Sequence, residues 1–150
     1  MTKQAHQKTS VSALMGAPVE DAAGHVLGHV REFAVCPPED ANHVRGLVLK
    51  LAGSSRTARQ SIAAVADLEM TSAGRLRMRG QAIPRAMPEE DSYLLLERDL
   101  LDQQIIDVHG HKVVRVNDVD LVWEAVRNGA MDAAECGVKA LSEHCALSLR

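Results

Sequence analysis

The sequence predicts a mainly β fold, a small β-barrel built from an internally repeated hairpin unit with a short C-terminal helix. The first observation is that residues 14–35 align with residues 100–121, 86 positions later, without gaps. Both copies hold short runs of β-branched residues around an Asp-x-x-Gly turn, which is typical of a hairpin. The second observation is that several further short apolar runs, separated by turn-forming residues, follow the first copy.

The repeat contains two identical pairs of turn-forming residues, an aspartate and, three positions later, a glycine. An aspartate side chain accepts hydrogen bonds from nearby backbone N–H groups, and a glycine adopts a positive φ at low cost. We therefore expect these residues to hold the turns of two equivalent hairpins. The four turn residues are Asp21, Gly24, Asp107 and Gly110.

After the first hairpin, a loop at 37–42 is expected to precede a mostly buried strand at 43–51. Shorter strands are then predicted at 60–64, 67–71 and 75–79. In the second copy, the Arg-Asn-Gly turn at 127–129 predicts that 119–126 and 130–136 are neighbouring strands. The alanine-rich second partner could equally begin a helix. From position 137 the apolar residues keep a helical spacing, which predicts a short amphipathic helix.

The chain divides into a first unit at 11–80, a linker at 81–91 and a second unit at 92–150. The linker has two prolines and a run of acidic residues, and the charge changes sign beside it. Residues 1–86 hold 11 Lys and Arg against 7 Asp and Glu, whereas residues 87–150 hold 6 against 13.

The motif Leu-x-Gly-x-Pro-Val-x-Asp-x-x-Gly-x-x-Leu-Gly-x-Val, from Leu14 to Val30, resembles the opening of PRC-barrel domains. The second copy, from Leu94 to Val119, is similar to a tandem PRC-like region of bacterial proteins that also carry MgtE-type magnesium-transporter intracellular domains and CBS domains. The resemblance spans about residues 11–147. It implies a PRC-type barrel and an adaptor or docking role without shared catalytic residues. The intracellular, CBS and membrane segments of those proteins have no counterpart here, so transport itself is not expected.

Three arginines near the end of the first unit alternate with apolar residues, as in a strand with one basic face and one buried face. With two further arginines upstream they form a candidate surface for an acidic partner. The alternatives are a solvated strand face, or attraction to the acidic half of the same chain. The five candidate partner-binding residues are Arg56, Arg59, Arg75, Arg77 and Arg79.

Carboxylates in the second unit form a candidate surface for Mg²⁺, which prefers oxygen ligands. The candidate ligands are Asp102, Asp118 and Asp120. Solvated faces explain the same residues, so we expect no required cofactor and keep weak Mg²⁺ binding as the alternative.

We expect a non-enzymatic, cytoplasmic adaptor or regulatory module that docks on a protein partner and is linked to magnesium handling. The sequence leaves open whether the protein forms a homodimer. The alternative is an RNA-associated ribosome-maturation factor of RimM-like type. A net charge of −3 and only one Trp, one Tyr and one Phe argue against nucleic-acid binding. Three cysteines without a paired framework and the lack of a long apolar run predict a reduced environment and no membrane insertion.

Overall fold

The computed structural model describes residues 6–55, 60–71, 73–88, 93–107, 112–128 and 131–137. Within them the chain is mainly β, as predicted. The helical elements are short: α1 (Val11–Leu14), a 3-10 turn (Val65–Asp67) and a π-helical turn (Leu96–Leu100). The strands are β1 (His6–Ser10), β2 (Pro18–Glu20), β3 (Val26–Cys36), β4 (Asp40–Leu51), β5 (Ser61–Ala64), β6 (Leu68–Met70), β7 (Leu76–Met78), β8 (Arg85–Ala86), β9 (Leu94–Leu95), β10 (Gln104–Asp107), β11 (Lys112–Arg115), β12 (Asp120–Asn128) and β13 (Met131–Gly137).

Eleven of these strands form one sheet in the order β1-β12-β13-β4-β3-β2-β7-β6. Strand β5 branches from β4 and pairs with β8, and β9 branches from β3. Strands from both predicted units share this sheet, because β1 pairs with β12 and β13 pairs with β4. Strands β10 and β11 form a separate two-stranded antiparallel sheet.

The prediction of a closed barrel is wrong for the part of the chain that the structure describes. Closure requires the end strands of the sheet to exchange backbone hydrogen bonds. Here β6 pairs only with β7, β1 pairs only with β12, and the branched path contains no ring. Bulges along β3, between Val30 and Glu32 and again after Ala34, break the regular β3–β4 register. Bulges bend and twist a strand, so this sheet folds over its own core without closing.

The core lies beneath β3 and β4, the two longest strands. Residues 32–36 of β3 are all buried, because both faces of the strand are covered there. Phe33 and Leu47 belong to the main cluster, with Leu121 from the second half of the chain. Ala34 and Val48 pack with Leu95 on the other side. Alternation therefore fails along this stretch of β3, as it does in strands buried on both faces.

Most predicted strands are present with shifted ends. β5, β6 and β7 are shorter than expected, and β4 begins at Asp40, inside the predicted loop. The pair β12–β13 shows that the second partner of the Arg-Asn-Gly turn is a strand. Arg85 and Ala86 lie in the predicted linker yet form β8, which pairs with β5. The predicted C-terminal helix falls at 138–150, outside the described residues.

Several backbone features recur at an offset of 86 residues. Gly16 has φ 77°, and Asp102 is the one non-glycine residue with a positive φ, 60°, among those described. The N–H of Gly16 donates to the carbonyl of Val30 at 2.8 Å, and that of Asp102 donates to the carbonyl of Val116 at 2.9 Å. A helical turn precedes each hairpin, α1 in one case and the π-helical turn in the other.

Candidate docking surface

The predicted arginine face exists at β7, which contains Arg77 and is flanked by Arg75 and Arg79, but the chain's own acidic residues occupy much of it. Leu76 and Met78 are each 1% exposed, so the arginines project from the opposite face. Strand β7 runs parallel to β2, which places Arg77 beside Glu20, and antiparallel to β6, which places Arg77 beside Glu69.

Glu20 is the acidic centre of this cluster and is 5% exposed. Its Oε1 accepts from Nη1 of Arg75 at 3.1 Å, and its Oε2 lies 3.5 Å from Nη2 of Arg77. The carboxylate is buried, whereas the side chains of Arg75 and Arg77 are 64% and 36% exposed. A buried carboxylate is stabilised by such cationic partners, so both arginines have a structural role.

The remaining predicted arginines add little to this face. The Nε of Arg79 donates to the carbonyl of Leu68 at 3.1 Å, which ties that side chain to β6. Arg56 and Arg59 lie outside the described residues. The attraction of the stripe to the chain's own carboxylates, one of the alternatives that the sequence left open, accounts for Arg75 and Arg77.

The candidate Mg²⁺ ligands are not gathered into a site. Oδ1 of Asp118 accepts from the backbone N–H groups of Ser12 at 3.1 Å and Val119 at 2.8 Å. Burial raises the pKa of Asp118, but these hydrogen bonds and the hydroxyls of Ser10 and Ser12 outweigh it and hold the pKa below its ordinary value. Asp102 and Asp120 are exposed. Across the described ranges, no group of three or more His, Cys, Asp and Glu residues is arranged to hold a metal ion.

The turn residues of the first hairpin have the expected geometry. Gly24 has φ 90°, a left-handed conformation that favours glycine. Oδ1 of Asp21 accepts from the N–H groups of Ala23 and His25, both at 2.9 Å. The hydrogen bond from the backbone of His25 is the main cause that lowers the pKa of Asp21. In the second hairpin, Asp107 ends β10, and Gly110 lies outside the described residues.

The β10–β11 hairpin exposes two large apolar side chains that face each other across the strands. Ile106 is 71% exposed and Val113 is 62% exposed, and the two are register partners. The next pair along the same face is Gln104 with Arg115, both exposed. On the other face, Ile105 packs against the main core. This hairpin thus has one face on the core and one apolar face in solvent.

This apolar face was not among the features predicted from the sequence, although the sequence contains a signal for it. Each strand carries two adjacent apolar residues, Ile105 with Ile106 and Val113 with Val114. Successive side chains of a strand point to opposite faces, so one residue of each pair must lie on the outer face. Sequence alone does not say whether another element covers that face. In the first hairpin, the position that corresponds to Ile106 holds Glu20, which is covered by the arginines of β7.

No protein-family model and no curated protein sequence matches the chain. Among the described helices, none is both long enough and apolar enough to cross a membrane.

Proposed function

We propose that the chain is a non-enzymatic adaptor module that docks on a protein partner through the outer face of the β10–β11 hairpin. The observation that carries the proposal is the exposure of Ile106 and Val113 as a cross-strand pair. Exposed apolar groups that adjoin one another and are flanked by polar residues mark protein interaction sites.

Burial of this pair would give a partner a substantial gain in free energy. An aliphatic side chain that moves from water to an apolar contact contributes about 1.5–3 kcal/mol. The pair lies on a two-stranded hairpin whose other face is packed on the core through Ile105. A partner therefore meets a surface that is already positioned by the fold, which lowers the entropic cost of binding.

Three further predictions belong to the proposal. The chain is related to PRC-type adaptor domains, it resides in the cytoplasm, and it arose from two copies of one hairpin unit. The repeated backbone features of Gly16 and Asp102 support the last of these. Arg75 and Arg77 no longer favour RNA binding, because Glu20 contacts both side chains and Glu69 lies beside Arg77. Protein docking is therefore preferred to the ribosome-maturation alternative. The proposed link to magnesium handling now rests on the partner, which would be a protein that takes part in that process.

Co-purification of partners from the protein's own cells tests the proposal. We expect an Ile106→Thr/Val113→Thr variant to lose a protein that the wild type recovers. The matched control is Val26→Thr/Ile83→Thr, because these two apolar residues are also exposed, by 46% and 70%, but lie elsewhere. Equal recovery by both variants would overturn the proposal, and so would recovery of RNA alone.

A further inference from the structure

We infer that the outer edge of β10 binds one extended segment of the protein partner as an added parallel strand, with an acidic residue two positions before an apolar one. This inference rests on the proposed function, and it names the chemistry of the partner at the same site. Addition of a strand to an exposed sheet edge is a common mode of peptide recognition, since the backbone gives affinity and alternate side chains give specificity.

The chain itself builds this arrangement on its first hairpin. Strand β7 pairs in parallel with β2, with Val19 beside Leu76 and Glu20 beside Arg77. The outer edge of β2 is thereby occupied, and the buried carboxylate of Glu20 contacts Arg77 on the added strand and Arg75 just before it.

Strand β10 corresponds to β2 in position and shares its register at the first two pairs. The bulge after Val19 then pairs Glu20 with Val26, whereas Ile106 pairs with Val113 without a register shift. Pro18 pairs with His29 in the first hairpin, and Gln104 pairs with Arg115 in the second, each 86 residues later. In the described part of the chain, β11 is the only strand that pairs with β10. An unpaired edge presents backbone N–H and carbonyl groups that can bind another strand.

The side chains along this edge define what the added strand must carry. Ile106 stands at the position of Glu20, so the residue beside it on an added strand should be apolar where β7 has Arg77. This residue would cover Ile106 and extend toward Val113. Because Glu20 is acidic and Ile106 is apolar, the partner segment should pair as β7 does but differ from β7 in composition.

An exposed arginine specifies the second feature of the segment. Arg115 is exposed, and none of the ion pairs between described residues includes it. Arg115 lies across from Gln104, two positions before Ile106. On a parallel strand, a residue two positions before the apolar one lies beside Gln104, and the long arginine side chain can extend toward it. An aspartate or glutamate there would form a charge-assisted hydrogen bond.

A second copy of this chain fits the edge less well. If two β10 strands paired antiparallel about Ile105, Ile106 of the facing strand would lie beside Gln104, where the segment described above carries its acidic residue. The inference therefore commits to an acidic and apolar segment of a different protein.

The test uses the full chain, labelled with nitrogen-15, and a short acetylated and amidated peptide. The peptide carries glutamate two positions before valine, with threonine and serine elsewhere, and a peptide of the same composition in reversed order is the matched control. We expect the first peptide to shift the backbone amide signals of residues 104–107 and to bind more tightly than the reversed peptide. We expect Arg115→Glu to weaken the first peptide roughly threefold to fivefold, the range of an exposed ion pair. Ile106→Thr should weaken it about tenfold. Both substitutions are on exposed residues, and an unchanged urea midpoint will show that the variants fold.

Three results would overturn the inference. These results are equal binding of the two peptides, an unchanged affinity in Arg115→Glu, and shifted amide signals that lie away from β10. If one of these is found while the Ile106→Thr/Val113→Thr variant still loses its partner in co-purification, the proposed function stands and only the parallel strand mode fails. Concentration-dependent dimers that involve β10 would likewise replace the peptide segment with a second copy.

Discussion

Glu32 and Asp118, 86 residues apart, each bind backbone N–H groups of the helical turn in the other half of the chain. Glu32 is 6% exposed and accepts from Glu97 at 2.8 Å and Arg98 at 2.9 Å. Asp118 accepts from Ser12 at 3.1 Å, and Ser12 corresponds to Arg98 in the repeat. Each carboxylate also accepts from the N–H of the next residue. Helical turns have unsatisfied N–H groups, so these two contacts join the halves reciprocally.

Replacement of Glu32 by glutamine should destabilise the fold by about 2 kcal/mol, because a buried carboxylate that accepts from three N–H groups is lost. Urea unfolding measures this. The control is Glu97→Gln, an exposed glutamate in the same helical turn, which should change stability by less than about 0.5 kcal/mol. Equal effects of the two substitutions would show that Glu32 does not join the halves.

Stability should fall in acid, partly through Asp118. Its folded pKa lies below the unfolded value of about 3.9, so its contribution is present above about pH 4 and is lost as the pH falls through the folded pKa. Asp99, whose pKa is lowered mainly by its hydrogen bond with Arg98, acts in the same direction. Urea midpoints at neutral and acidic pH should differ less in Asp118→Asn than in the wild type. An unchanged pH dependence in Asp118→Asn would contradict this role.

The contact between Asp118 and Ser12 also decides which variant should test weak Mg²⁺ binding, the alternative that the sequence left open. If Mg²⁺ binds, millimolar Mg²⁺ should raise the melting temperature of the wild type but not that of a variant without the ligands. A variant that removes both Asp102 and Asp118 would lose stability whether or not a cation binds, because Asp118 holds the backbone of Ser12. Asp102→Asn/Asp120→Asn is the better variant, since both of its side chains are exposed.

Gly28→Ala should destabilise the protein by about 2 kcal/mol or more, since a Cβ there would collide with the backbone carbonyl of Lys50 on β4. Gly46→Ala is the matched comparison. Its Cβ would lie 2.7 Å from Cδ1 and Cγ1 of Ile62 and 3.0 Å from the carbonyl oxygen of Ala63, so the closest contacts are with a side chain and the backbone contact is less severe than at Gly28. In thermal unfolding, the melting temperature of Gly28→Ala should be lower than that of Gly46→Ala. The reverse order would contradict the close approach of β3 to β4.

Gly16 and Asp102 offer a second matched comparison, because both have a positive φ. Gly16→Ala should cost about 1 kcal/mol through backbone strain, as no atom lies within 4 Å of its added Cβ. Asp102→Gly should change stability by less than about 0.5 kcal/mol, because relief of strain offsets the added chain entropy. Chemical unfolding of both variants measures the two effects. A larger loss for Asp102→Gly than for Gly16→Ala would show that the two turns are not equivalent.

The two arginines around Glu20 should act together. Arg75→Gln alone should cost less than about 1 kcal/mol, because Arg77 still faces the carboxylate. Arg75→Gln/Arg77→Gln should cost about 3 kcal/mol, more than the two single changes added, because it leaves a buried carboxylate without a cation. Addition of Glu20→Gln to this double variant should restore part of the loss. Strict additivity in urea unfolding would contradict a shared site.

The sequence predicted those features that local rules determine. The turn at Asp21 and Gly24 and the alternation of Leu76 with Met78 follow from residue types and spacing alone. Long-range pairing decided the rest. Contacts between residues more than 60 positions apart determine the β1–β12 pair and the open sheet. They also determine which carboxylates accept the N–H groups of the helical turns, such as Glu32 with Arg98. The exposure of Ile106 depends on whether another strand covers β10, which no local pattern reveals.

The most direct test of the docking face places a photoreactive amino acid at Ile106 and, in a separate variant, at Ile83, which is equally exposed. Irradiation in the protein's own cells is followed by identification of the cross-linked product. The docking account predicts a discrete cross-linked protein at Ile106, resistant to ribonuclease, lost when Val113→Glu is added, and not formed at Ile83. The same product at both positions, or no product at Ile106 while a partner still co-purifies, would contradict it.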